Sequence, residues 1–198
     1  MTEIEFVWDS HQRNVFADRK VEKALGSALR KAGGDALRAM RVTSSREIRE
    51  KKRLKVKKVN DSLPLIHPGA GVGLDGLVWT MRVSGKAIPL AAFPFRQFGR
   101  KKGRHGGVAV ALNTTGPKTT ILGAFVARMP TADPMKRGHL GIFRRRGRGR
   151  LPIDEAFGPT IAALFKNAGM ISGVQYAAQT VFSRTFERLL PLELAKLK

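Results

Sequence analysis

Between Arg19 and Met40 the small and apolar residues Val21, Ala24, Leu25, Ala28, Leu29, Ala32, Ala36, Leu37 and Met40 recur at steps of three and four. Residues so spaced lie above one another on a helix of 3.6 residues per turn, so the segment reads as one helical stripe. The stripe is narrow and rich in Ala, which suits close packing on another helix or on a sheet. Gly33 and Gly34 interrupt it at a cost of about 1 kcal/mol each relative to Ala, and they mark a place for a kink or a close backbone approach. A single helix is expected to run through them.

The chain has 198 residues, enough for one domain with its own core, and it is read as a single domain over 1–198. It contains no Cys, which excludes disulfides, thiolate-bound zinc and a thiol nucleophile. With 37 Lys and Arg against 15 Asp and Glu, the formal net charge is +22. A free compact monomer with that excess repels itself and attracts polyanions, so a negative partner is expected. Nucleic acid and acidic protein surfaces both qualify, and composition does not choose between them. The opening MTEIEFVWDS is acidic and short of apolar residues, unlike a signal or transit peptide. No apolar run reaches the roughly 18 residues of a membrane span, so the expected setting is the cytoplasm or a particle assembled there.

After the helix, Arg41 to Lys58 holds nine basic residues and two acids, with Ile48, Leu54 and Val56 at intervals that keep one side packed. Val56 to Leu63 reads as a short second helix ended by Pro64. The Gly-rich stretch HPGAGVGLDG lacks the Gly-Lys-Ser/Thr ending of a phosphate loop and reads as a turn. Strand patterns follow: Leu77–Ser84 and Ala87–Leu90 as a hairpin, Val108–Leu112 with Thr119–Met129 as a second pair, and Gly138–Arg144 as a fifth strand. Helix signals return at Gly158-Pro159, with Pro in the first turn. The last stretch is amphipathic, with Val174, Ala177, Ala178, Val181, Phe182, Thr185, Phe186 and Leu189 on one stripe and Pro191 breaking it near the end. The fold class is therefore α+β: a long N-terminal helix at about 19–51, a core of four to five mostly antiparallel strands at about 77–144, and C-terminal amphipathic helices at about 158–190.

Catalytic groupings are missing from the pattern. His11, His67, His105 and His139 are scattered with no ligand spacing, and no metal or cofactor is implied. Asp154 and Glu155 are adjacent, so on a strand they diverge, and no third acid completes a two-metal site. Asp154 is expected to cap the turn after Leu151-Pro152-Ile153, and Ser44 with Glu47 has the spacing of a capping box. The chain reads as a non-enzyme. Its candidate contacts are two Gly-spaced basic loops: Arg96, Arg100, Lys101, Lys102 and Arg104, then Arg144, Arg145, Arg146, Arg148 and Arg150. Cations on such loops reach phosphates without reading bases, or they dock on an acidic partner.

Three stretches stand in a recognisable order: IPLAAFPFRQFGRKKGRHGGVAVAL, ILGAFVARM and GHLGIFRRRGRGRLPIDEAFGP. Their I-P-L…F-x-x-R-Q start, G-A-F-x-A-x-M centre and G-x-F-x-R…R-L-P-I…G-P close, preceded by the Ala-spaced basic helix, resemble the phage minor tail protein Z family over roughly residues 14–168. The resemblance implies a virion protein of a long-tailed bacteriophage that completes the tail at its head-proximal end or joins it to the neck. It also implies assembly in the host cytoplasm, and it favours running the N-terminal helix on to about Lys51, a rod of about 45 Å at the usual rise per residue. Such a rod is longer than a small domain can cover, so its remaining length is expected to meet other subunits. The partners implied are copies of the chain in a ring, other tail or neck proteins, and genomic DNA in the channel, with no membrane. Arg144 and Arg150 lie within the family pattern and are expected to be fixed, with Asp154 or Glu155 as the nearest carboxylates. Arg145, Arg146 and the long helix after Asn167 depart from that pattern. The rival reading is a free, sequence-nonspecific nucleic-acid-binding protein.

Overall fold

A computed structural model of the chain describes residues 2–7, 19–69, 74, 77–99, 106–130, 138–147, 149–165 and 168–197. Its longest element, α1 (Arg19–Lys51), passes through Gly33-Gly34 without a break. The short α2 (Val56–Asp61) follows, with Pro64 three residues past its end. At the other end of the chain α4 (Ala168–Ala195) lies antiparallel beside α1 and makes the most extensive contact between any two elements. The backbone of Gly173 sits beside the Glu47 carboxylate, and 20 residues further along α4 Glu193 meets Lys31.

This pairing corrects the expectation that the helix outruns its own domain. Ala28, Leu29, Ala32, Ala36, Leu37, Met40 and Ile48 on α1, and Val174, Ala178 and Phe182 on α4, are all buried within the one chain. Two long helices with matched stripes cover each other, which neither stripe alone could reveal. Ser44 is also reassigned: it lies inside α1, buried, and its hydroxyl donates to the Met40 carbonyl at 2.7 Å, so it caps nothing. Pro191 does not end α4, which continues to Ala195. Beyond the proline the helix is held by Glu193, whose carboxylate accepts from Lys31 at 2.6 Å and from Lys196 at 3.1 Å.

The strands form small antiparallel sheets rather than one. Strand β3 (Val78–Val83) is central in the first, between β1 (Thr2–Val7) and β2 (Leu65–Ile66). It does not form a hairpin with β4 (Ala87–Pro89), which pairs instead with β11 (Phe157–Thr160), about 70 residues away in sequence. Gly158 and Pro159 accordingly lie in a strand, and the helix expected to begin there, α3, starts at Ile161 and ends at Phe165. A second three-stranded sheet orders β5 (Phe95–Phe98), β6 (Gly107–Val110) and β7 (Thr119–Leu122). The expected strand Thr119–Met129 is broken at Gly123, where φ is +73°, a left-handed turn that frees β8 (Ala124–Met129) to join another sheet. That sheet orders β8, β9 (His139–Arg145) and β10 (Ile153–Glu155). One hydrophobic cluster runs from the helix pair through β3 to Val108, Val110, Ala124 and Ile142.

Trp79 is the joint between layers. The alternation of β3 buries Trp79, Met81 and Val83 toward the helices. The indole lies directly against the α1 backbone at Gly33, where a Cβ would overlap its ring atoms. Its edge meets Phe182 of α4 at 6.5 Å between centroids, and Phe182 stacks on Phe186 at 5.8 Å. Gly33 is therefore a contact surface, and the helix-propensity cost of Gly is offset by burial of the largest side chain in the core.

The two adjacent glycines should respond oppositely. Gly33→Ala is expected to destabilise by about 1–3 kcal/mol, since overpacking against a rigid indole outweighs the helix-propensity gain. Gly34→Ala, whose nearest neighbour would be His67 at 3.8 Å, is expected to stabilise by about 0.5–1 kcal/mol. Chemical denaturation of both variants measures this. A second test concerns Glu193, whose carboxyl is held below the usual carboxylate range by hydrogen bonds from Lys31 and then Lys196. Its folded value lies below its unfolded one, so the stabilisation is complete above the ordinary carboxylate range and is lost as pH falls through the depressed value. Glu193→Gln should lower thermal stability at neutral pH, and the gap to the parent protein should close in acid.

Candidate functional site

The arginine-rich segment begins on β9, where the period of two sends successive side chains to opposite faces. One face carries His139, Gly141, Phe143 and Arg145; the other carries Leu140, Ile142 and Arg144. Phe143 is opposite Phe125 on β8, their rings 6.2 Å apart, and the Arg145 guanidinium lies over the Phe125 ring at 5.4 Å. Gly141 leaves room on this face for the Phe143 ring and the Glu155 carboxylate. Glu155 in turn meets His139, Nε2 to Oε1 at 2.7 Å. From spacing alone His139 reads as a solvent histidine, because its partner is 16 residues away and only the β9–β10 pairing brings the two together.

Asp154 does not cap a turn. It lies in β10 opposite Arg144, and its Oδ2 accepts from Arg146 Nε at 2.6 Å. That hydrogen bond holds the Asp154 carboxyl below the usual carboxylate range and the Arg146 guanidinium above its ordinary value. The expected anchoring is thus inverted. Arg145 and Arg146, read as additions to the pattern, are the tethered pair, one by a ring face and one by a carboxylate. Counted from Gly141, Gly-x-Phe-x-Arg closes on Arg145, so the stacked arginine is the one at the motif position. Arg144 and Arg150 are exposed and have no partner among the described residues. Arg96, on β5, is likewise exposed without a partner there, while its neighbour Gln97 accepts from the Val126 N–H at 3.1 Å and ties β5 to the free edge of β8. Arg100, Lys101, Lys102, Arg104 and Arg148, with His11 and His105, lie outside the described residues.

A third basic surface, unassigned from sequence, forms where α1 ends. Lys52 bridges to Asn113, backbone to backbone and through Nζ to Oδ1 at 2.5 Å. Arg53 donates to the Thr114 carbonyl at 3.1 Å, and the Thr114 hydroxyl donates to the Arg49 carbonyl at 3.3 Å. The corner thereby becomes a fixed platform carrying exposed Arg49, Lys51, Arg53, Lys55, Lys57 and Lys58. The density of basic residues after Met40 is the signal in the sequence; the docking onto residues 111–114 has none. Among the described residues no group of three or more His, Asp or Glu side chains could hold a metal ion, and no helix is long and apolar enough to cross a membrane.

Free and tethered arginines should differ in contact with nucleic acid. If the segment meets phosphates, the double variant Arg144→Ser/Arg150→Ser should reduce the slope of log affinity against log salt by about 2 for a duplex of arbitrary sequence, about 0.9 for each phosphate that is no longer neutralised. Arg146→Ser should change it little. Equal slopes in all three proteins would place the segment against protein rather than nucleic acid.

Compared with protein-family models, with curated proteins and with solved structures, the chain matches none.

Proposed function

We propose that this chain is a structural virion subunit of a tailed bacteriophage, a minor tail or tail-completion protein at the head-proximal end of the tail or in the neck. It acts by ring assembly around the DNA channel rather than by catalysis. The observation that carries the reading is where the three motif stretches sit. Ile88-Pro89 of the first pairs, through β4, with the Phe157–Thr160 strand that ends the third. The centre, on β8, pairs with Gly141 to Arg144 of the third, and Ile153 to Glu155 pairs with the same strand from the other side. Stretches spread over about 70 residues thus converge on adjoining strands, as expected of a shared structural signature.

Assembly has a suitable surface in β7. This strand is the outer edge of its sheet, and Thr119, Thr120 and Leu122 are exposed on it, with no charge or proline within the strand. Isolated domains usually blunt such an edge, because its unpaired backbone groups recruit another strand. An edge on every copy, meeting a different surface of the next copy, gives the heterologous contacts that close a ring. The basic excess then faces the acidic surfaces of neighbouring proteins or the genome in the channel. The second reading, a free sequence-nonspecific nucleic-acid-binding protein, draws on Arg96, Arg144 and Arg150, which have no partner among the described residues.

Two-dimensional class averages of the purified protein are expected to show closed, rotationally symmetric rings. Thr120→Lys, which puts a charge on the β7 edge, should shift the population toward monomer without lowering the melting temperature. A protein that stays monomeric at all concentrations and binds duplex DNA in that form would overturn the ring and favour the second reading.

A further inference from the structure

Beside the fixed corner at the end of α1 runs a groove of about 530 Å³, with Arg53, Leu54 and Lys55 on one wall and Ala91, Ala92, Phe93, Pro94 and Phe95 along the other. Its walls are held from outside. Arg53 is anchored through its backbone N–H to Leu112 and through its guanidinium to Thr114, the Phe93 N–H donates to Leu90, and the Pro94 carbonyl accepts from Ala111. The apolar lining is short: two methyls, a proline ring, a half-buried phenyl ring and the side of buried Leu54. The rim is cationic. Lys55 is exposed with no partner among the described residues, and Lys51, Lys57 and Lys58 extend the same charge along the corner. Of the acids nearby in sequence, Glu50 is occupied by Arg46 at 3.1 Å, and Asp61 lies at the far end of α2.

We propose that this groove docks an extended segment of a partner protein, one or two apolar side chains flanked by carboxylates. The apolar side chains rest on Ala91, Ala92 and Phe95, and the carboxylates reach Lys55 and the outer face of Arg53. The charge and shape complementarity belong to a peptide rather than to a polynucleotide. A phosphate backbone needs cations where it lies, and here they stand at the rim above an alkyl floor. A stacked base needs an open ring face, and Phe93 is buried while Phe95 is half-buried. The inference does not depend on the virion reading, since it concerns only what this groove can hold.

The test uses the full chain and a fluorescent capped peptide with a central leucine–phenylalanine pair between two glutamates on each side. Comparison peptides replace the apolar pair by serines, or the glutamates by lysines. The first peptide is expected to bind saturably, and the serine peptide at least tenfold more weakly. Lys55→Glu should weaken binding about tenfold. Lys23→Glu, near the other end of α1 and roughly 40 Å away along the helix, should leave it unchanged. Ala92→Arg, which adds positive charge while filling the groove, should also abolish binding, with its folding checked by melting. Equal losses in Lys55→Glu and Lys23→Glu, or equal affinity for the serine peptide, would reduce the effect to the overall charge and overturn the proposal. So would a single-stranded oligonucleotide that displaces the peptide and itself loses affinity in Lys55→Glu.

Discussion

The indole of Trp79 against the bare backbone of Gly33 is the contact on which the rest of this structure depends. It sets how closely β3 approaches α1, and through Phe182 it sets how α4 lies alongside both. A side chain at Gly33 would push the sheet away from the helix, and the gap would open in the middle of the core. The Ala stripe works with this contact. Small residues let two long helices approach closely, so two narrow stripes bury each other over most of their length with modest apolar area. Outside the paired stripes, Val42 on α1 and Tyr176, Leu192 and Leu194 on α4 stay exposed.

Charge on this protein is sorted by how it is held. Arg146 is tied to Asp154, Arg145 lies on Phe125, and Lys31 with Lys196 neutralises Glu193. The Arg146–Asp154 pair, exposed on both sides, adds little to stability because water already solvates each partner, whereas the Glu193 carboxylate is buried and its pairing contributes more. Their effect is geometric: they fix the direction of β9, β10 and the end of α4. With 37 Lys and Arg against 15 Asp and Glu, most basic side chains have no carboxylate to take, and among the described residues Arg49, Lys51, Lys55, Lys57 and Lys58 are displayed at the surface. At the end of α1 the display is combined with an apolar groove, a different recognition surface from the Gly-spaced loops.

Much of the architecture was legible in the residues. The helix that begins at Arg19, periodic as far as Met40, the short helix before Pro64, the strand around Trp79 and the amphipathic C-terminal helix each carry a local pattern that survives in the fold. What failed were pairings and boundaries. The apparent hairpin between Val83 and Ala87 is a crossing between sheets, because β4 finds its partner in β11. Gly158-Pro159 carries a helix-start signal but is held extended by that same pairing. Pro191 carries a stop signal but sits in a helix whose end is clamped by Glu193.

The candidate site shows the same division. Which residues are basic, how densely they cluster, and that no metal-ligand or nucleophile spacing accompanies them are properties of the sequence alone. Which arginines are free was decided only by the tertiary structure. Asp154 and Glu155 are neighbours in sequence, yet one serves Arg146 and the other His139, because a strand sends adjacent side chains to opposite faces and the β9–β10 register chooses what each face meets. The groove beside Arg53 is likewise invisible in the chain, since its walls come from segments almost 40 residues apart. Periodicity is a local property and the sequence determined it; pairing across distance depends on which surfaces exclude water together, and only the folded chain decides that.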